Sequence, residues 1–333
     1  RGSMTPSERK SLAVEESRGD NGGQLRVFAS LSPPQQRPSS IFRSRVYPDL
    51  KVRAQLNNMS AAVLERVIPS LPIDMHGGRL DGEIRISCTS PSTWTFPDFG
   101  GQIKGKNLWF HFFDSTDDFA DTAVDLVFEG QRMYIHGGEG HFGNVPLTLT
   151  GDLDLNPIGG EYRLSAQVSP VEVHKLRETL GVRPIPRPVA GSVKGFLYCS
   201  GPLEQPVFTG RAETTVPADE DLNIAKPGTE MAWSEDAIKA AAHEGAVAAY
   251  DRVPFKSANA VFSVDVKKGA FSLHSAEAQL VDGGRLRGSG RVSTKPTALF
   301  DPDALNIEGT AVDIDFLRLA KRLVPGDAPP WLD

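Results

Sequence analysis

Cysteine is almost missing from this chain: Cys88 and Cys199 are its two thiols in 333 residues. That is too few for a disulfide framework, and they lack the spacing of a zinc site, so two unlinked thiols are expected. Long apolar runs are missing too. No stretch approaches the roughly 20 apolar residues that span a bilayer, and no secretory signal is visible. Basic clusters are absent, and a net charge of -6 offers no electrostatic footprint for phosphates, which excludes a nucleic-acid partner from the expectation. The opening Arg1-Gly2-Ser3-Met4 reads as the remnant of an expression tag, so a soluble piece of a longer chain is expected.

Reactive constellations are equally scarce. No G-x-S-x-G elbow occurs. "GGRLRGSG", from Gly283, precedes a strand where a phosphate loop needs a helix, and reads as strand residues with tight turns. "HGGEGH" places His136 and His141 five apart around Glu139, at opposite parity, so a regular strand sends them to opposite faces. "DSTDDFAD" gathers Asp114, Asp117, Asp118 and Asp121 but lacks the glycine and terminal glutamate of a calcium loop, and reads as a solvated acidic turn. The expectation is therefore no metal, no cofactor and no enzyme.

What is present is strand punctuation. The 32 glycines and 25 prolines are spread along the chain, which suits many short strands. In "TAVDLVFEGQRMYIHGG" Val124, Leu126 and Phe128 share a face, Glu129-Gly130-Gln131 turns the chain, and Met133 and Ile135 continue the apolar side. In "NVPLTLTGDLDLNP" Leu147, Leu149, Leu153 and Leu155 alternate with Thr148, Thr150, Asp152 and Asp154, and "EYRLSAQV" carries the alternation on through Leu164. These are antiparallel strands with one wet and one apolar face. "WFHFF" is apolar on both sides; it marks either a doubly covered strand or a lip where an acyl chain or partner segment docks.

Self-comparison shows a tandem repeat. "GGRLDGEIRISC…FPDFGGQIKG" parallels "AGSVKGFLYC…QPVFTGRAE": Gly78 and Gly82 match Gly191 and Gly195, and Pro97 and Gly100 match Pro206 and Gly210. Further on, "VEVHKLR" parallels "VDIDFLR". The expected organisation is a tag and disordered lead over 1–42, a first repeat over 43–188 with a leading helix behind Ser60, a second repeat over 189–325 with a helical insertion at about 230–250, and a tail over 326–333.

The unit G-x-x-x-G, strand, "GPLEQPVFTG", from Gly191 to Gly210, together with "EGAVAAYDRVPF" and "LVDGGRLRGSG", resembles the repeat of the TamB/AsmA-like family, and within it the plastid TamB homologue of the chloroplast inner-envelope protein translocon. The resemblance implies a mainly β fold, in which antiparallel meanders curl into an open β-taco, a U-shaped trough with an apolar interior. It implies a parent anchored in the inner envelope, with this segment in the intermembrane space. It also implies as partners the outer-envelope translocon channel and inner-envelope translocon components, with lipid acyl chains or preproteins as further candidates. Two functions follow: a bridge serving preprotein import, or lipid transfer along the trough.

Expected trough-lining residues are Val124, Leu126, Phe128, Met133, Ile135, Leu147, Leu149, Leu153, Leu155 and Leu164 in the first copy. Phe262, Val264, Phe271 and Leu273 are their counterparts in the second. A plain sandwich core is the alternative reading of the same residues.

Overall fold

The computed structural model describes residues 11–18, 23–32, 49–67, 73–88, 96–112, 115–156, 158–181, 189–202, 205–215, 246–250, 253–265, 267–268, 270–293 and 305–323. The fold is mainly β and antiparallel, with three short helices among the described residues. Contacts divide the chain into two compact units: Arg1–Gly140 with Leu149–Tyr162, and His141–Thr148 with Arg163–Asp333.

In the first unit β1 (Ser11–Arg18), β2 (Gln24–Ser32), β3 (Asp49–Ser60), β4 (Ile73–Cys88), β5 (Asp98–Phe112), β6 (Asp118–Gly130) and β7 (Arg132–Phe142) run up and down. Each is hydrogen-bonded to its neighbour in sequence. Composition alone predicts no structure before residue 43, yet β1 and β2 lie there. Leu25, Val27 and Ala29 register against Leu56, Ala54 and Val52 of β3. A short alternating segment suffices once a long strand offers its edge. The expected helix forms as α1 (Val63–Val67), but Ser60 ends β3 instead of capping it. The ladder continues one residue further, since the amide of Ala61 donates to the carbonyl of Gly78 at 3.1 Å. Gly130, at φ 63°, closes the expected β6–β7 hairpin.

β8 (Val145–Asp154) and β9 (Glu161–Glu172) follow, then α2 (Val173–Thr179). The second unit continues with β10 (Val189–Pro202), β11 (Val207–Thr215), β12 (Ala248–Tyr250), β13 (Val253–Asp265), β14 (Ala270–Leu280), β15 (Arg285–Ser293), β16 (Leu305–Val312) and α3 (Phe316–Leu323). β11 and β12 share one lane between β10 and β13. β10 pairs with β11 over Ser192–Ser200 and with β12 over Val189–Gly191, and β13 pairs with both.

The same lane in the first unit is the unbroken β5, which bulges between Gly105 and Leu108 around Asn107 at φ 49°. Gly78 and Gly191 take φ 111° and 112°. A β-carbon on Gly78 would strike the Asn107 carbonyl and Leu108 Cα, and one on Gly191 the Val247 carbonyl and Ala248 Cα. The second copy therefore receives its insertion where the first has a bulge, a place already released from the ladder. The helix expected at about 230–250 lies outside the described residues up to 245, and Ala248–Tyr250 is strand. Register also corrects one match: Gly101, not Gly100, is the counterpart of Gly210. Gly101 lies opposite Phe128 as Gly210 lies opposite Phe262.

Candidate functional site

Across β4, β5 and β6 the apolar face is a checkerboard. Rows read Leu80–Gly105–Val124, Gly82–Ile103–Leu126 and Ile84–Gly101–Phe128. A four-residue glycine spacing keeps the glycines on one face of a strand, and each one leaves a notch that a bulky cross-strand neighbour fills. At Gly105 a β-carbon would meet Leu108 Cδ1 at 2.6 Å and Val124 Cγ1 at 3.0 Å. The face packs densely as a result. Leu80 and Ile103 are 0% exposed, Phe128 1% and Ile84 2%.

The second unit is floored differently. One register row runs Gly195–Ala212–Ala260–Ala276–Gly288–Gly309 through β10, β11, β13, β14, β15 and β16. Beside it lie Thr214, Ala258, Ala278, Leu286 and Ala311. Thr214 presents no free polar group, because its Oγ1 accepts from the Ala258 amide at 2.7 Å and donates to the Ala258 carbonyl at 3.2 Å. Over this floor lies an open groove with a volume of ≈ 550 Å³. At strand spacing of about 4.8 Å, six strands make it about 24 Å long. Phe262 and Phe271 stack at 5.8 Å along its flank.

The larger groove, ≈ 980 Å³, belongs to the first unit and lies over the opposite, charged face, lined by Phe28, Lys51, Arg53, Glu83, Arg85 and Gln102 among others. Arg53 donates to Glu83, whose carboxylate also lies 3.7 Å from Arg85. The Arg53 hydrogen bond, then that of Gln55, holds the Glu83 carboxyl below the usual range. Asp81 is lowered in the same way, first by the Asn58 amide at 2.8 Å and then by Lys106. Burial raises the Cys199 thiol to about 12, so it stays protonated at neutral pH.

The expected lining residues divide by exposure. Leu126, Phe128, Met133, Ile135, Leu153, Leu155 and Leu164 are buried. Val124, Leu147, Leu149, Phe262, Val264, Phe271 and Leu273 are half-buried. Leu80, Ile84, Phe99 and Ile103 belong to the same buried apolar face of the first unit and escaped the sequence reading. The glycine spacing carried their signal, since Gly82 and Gly101 fix the parity of β4 and β5.

Phe113 of "WFHFF" lies outside the described residues, and Trp109 to Phe112 divide into two clusters. Phe110 stacks on Phe119 at 5.0 Å, with Phe112 edge-on. On the other side Asp118 accepts from Trp109 Nε1 at 2.7 Å and lies 2.7 Å from His111 Nδ1. One Asp of the acidic turn thus ties that end of β5 to β6.

No family model matches the chain, and no solved structure does. Two curated relatives do. "Protein TIC236, chloroplastic" of Arabidopsis thaliana is 33% identical over 285 residues, covering 86% of this chain and 13% of the relative. "Protein SUBSTANDARD STARCH GRAIN 4, chloroplastic" of Oryza sativa subsp. japonica is 34% identical over 276 residues, covering 82% of this chain and 12% of the relative. The chain thus spans a small share of each relative's length. With the tandem glycine-notched meander and this similarity along most of its residues, the chain belongs, as a segment, to the plastid branch of the TamB/AsmA-like family.

Proposed function

We propose that this chain is one section of an elongated bridge linking the outer- and inner-envelope translocons in chloroplast preprotein import, with its apolar faces forming the wall of a trough. The observation that carries this reading is the similarity to TIC236 along 86% of the chain. The name TIC matches the inner-envelope translocon that the family resemblance implies. The packing of the first unit supports a load-bearing role: its apolar face is filled by its own side chains, Phe128 and Ile103 among them. In this reading the chain carries no catalytic step, and its partners are translocon components.

The test is a capture experiment from solubilised envelope membranes, with the outer-envelope translocon channel detected by immunoblot. Retention by the folded chain and loss with a variant unfolded at Gly101 supports the bridge. Equal retention by both discards it.

Lipid transfer is the second reading, and the Gly/Ala-floored groove of the second unit favours it. Each methylene shielded there contributes about 0.8 kcal/mol. Native mass spectrometry reads bound lipid directly. Ala260→Asp should strip co-purifying lipid, and a folded variant with unchanged lipid content argues against this reading.

A further inference from the structure

Residues directly opposite each other in a ladder point to one face of the sheet, and like charges placed so repel. On the charged face of the first unit Lys104 stands between Asp81 and Asp125, as complementarity requires. From β2 to β6 two opposed pairs break that rule. Arg79 and Lys106 diverge: Arg79 donates to the Asn58 carbonyl at 3.3 Å, and Lys106 donates to Asp81 at 3.5 Å. Arg53 and Arg85 instead converge on one carboxylate. Arg53 donates to Glu83, Gln55 donates to the same oxygen at 3.4 Å, and Arg85 Nε lies 3.7 Å from the other, beyond hydrogen-bond reach.

Lys51 adds a third cation two residues along β3, opposite Ser87, and no ion pair sets it against a carboxylate among the described residues. Three cations share Glu83, which leaves a formal surplus of two positive charges. Both arginine side chains are more than half exposed. An arginine carries five N–H donors, and Glu83 engages few of them. Phe28, itself half-exposed, stands opposite Arg53 on β2. Gly100 stands opposite Arg85 on β5 and presents no side chain to occupy the guanidinium. All of them line the open groove of ≈ 980 Å³. No basic run announces this in the sequence, because α1 lies between the two strands that carry the cations.

We propose that Lys51, Arg53 and Arg85 form a binding site for a phosphate monoester, whose charge near -2 at neutral pH matches the surplus on the sheet. The two guanidiniums take the phosphate oxygens in forked pairs, and Lys51 supplies a point charge. Glu83 orients both arginines, and Phe28 covers the organic part of the ester. Asp98 and Glu129, on the β5–β6 side of the groove, confine the anion to the β3–β4 side. The site lies on the face opposite the apolar one, and it goes beyond the bridge reading without depending on it.

The experiment is a chemical-shift titration of the backbone amides of the whole chain at low ionic strength, with inorganic phosphate and phenyl phosphate as probes. Both should saturate shifts in β3 and β4 with a Kd of about 1 mM. Phenyl phosphate should bind about threefold tighter, through the Phe28 ring. Arg85→Gln, with a urea midpoint no lower than the parent's, should weaken both probes by about tenfold. Arg79→Gln, at the other like-charged pair, should leave binding within about twofold. Equal binding by the folded Arg85→Gln variant overturns the proposal. So does an equal loss in Arg79→Gln, which would mean diffuse attraction, and so does the lack of saturation in the parent chain by about 20 mM phosphate. Flotation with phosphatidylcholine vesicles, with and without phosphatidic acid, separates the sources of the monoester. Flotation that needs both phosphatidic acid and Arg85 assigns the site to a lipid headgroup, and saturable binding of the soluble probes without flotation assigns it to a soluble ester.

Discussion

The ring of Phe262 lies on Gly210 so closely that a β-carbon there would stand 2.4 Å from Cζ. Gly210→Ala should therefore overpack this point and destabilise by about 1–3 kcal/mol in urea unfolding. Phe262→Ala removes the obstacle, so in that background the cost should fall below about 1 kcal/mol; an equal cost in both backgrounds would mean that the glycine is needed for its backbone alone.

Gly101 is the stricter test of the checkerboard, because its neighbour is backbone. It sits at φ 119°, with the Glu83 carbonyl 2.1 Å from where a β-carbon would be. Gly101→Ala should cost about 3 kcal/mol or more, since both the conformation and the space oppose it. Gly137, with nothing within 4 Å and an ordinary φ, should accept Ala within about 0.5 kcal/mol. Urea midpoints with constant m-values separate the two.

The glycine spacing was legible before any coordinates, and its matched pair Gly78 and Gly191 take nearly the same φ in β4 and β10. Other features were not legible. Gly100 and Gly101 are adjacent, and only register decides which of them faces Phe128. The lane shared by β11 and β12 is broken in sequence by an insertion, so Ala248–Tyr250 carries no alternation long enough to declare a strand. β2 went unseen because its polar neighbours dominate composition, while its stability comes from the edge of β3. The groove of the second unit is a property of rows across strands, and periodicity along a strand does not report it.

Acid should weaken the charged face of the first unit. Glu83 and Asp81 have folded values below their ordinary 4.5 and 3.8. The unfolded chain therefore binds protons first as pH falls. Their contribution is complete above these ordinary values and is lost as pH drops through the lower folded ones. Glu83→Gln should flatten that part of the stability profile, measured by urea midpoints in steps of roughly half a unit between about pH 5 and about pH 2.5. A profile identical to the parent's would remove Glu83 from the account.

Thiol chemistry should report the second unit. Cys199 is 9% exposed and its thiol is raised to about 12, whereas Cys88 is half-buried. Alkylation of the native chain near pH 8 should mark Cys88 and spare Cys199 until denaturant opens β10. Mass spectrometry of the peptides checks this, and equal labelling of both under native conditions would contradict the burial of β10.

Arg177 Nη1, on α2, is buried and has no hydrogen-bond partner among the described residues. Arg177→Met keeps the apolar stem and removes that desolvated group, so it should leave stability unchanged or raise it by about 1 kcal/mol. A loss above about 1 kcal/mol in thermal unfolding would show that the guanidinium is satisfied in solution.

Among the described strands of each unit, pairing follows chain order, with β12 the one departure. A nascent or freshly translocated polypeptide can consequently zip up one strand at a time, because every newcomer finds its partner already in place and no distant segment must be awaited. Contacts of short sequence separation close cheaply in entropy and early in time. A β protein of this length, which would otherwise fold slowly and risk aggregation, gains a vectorial route to its native form.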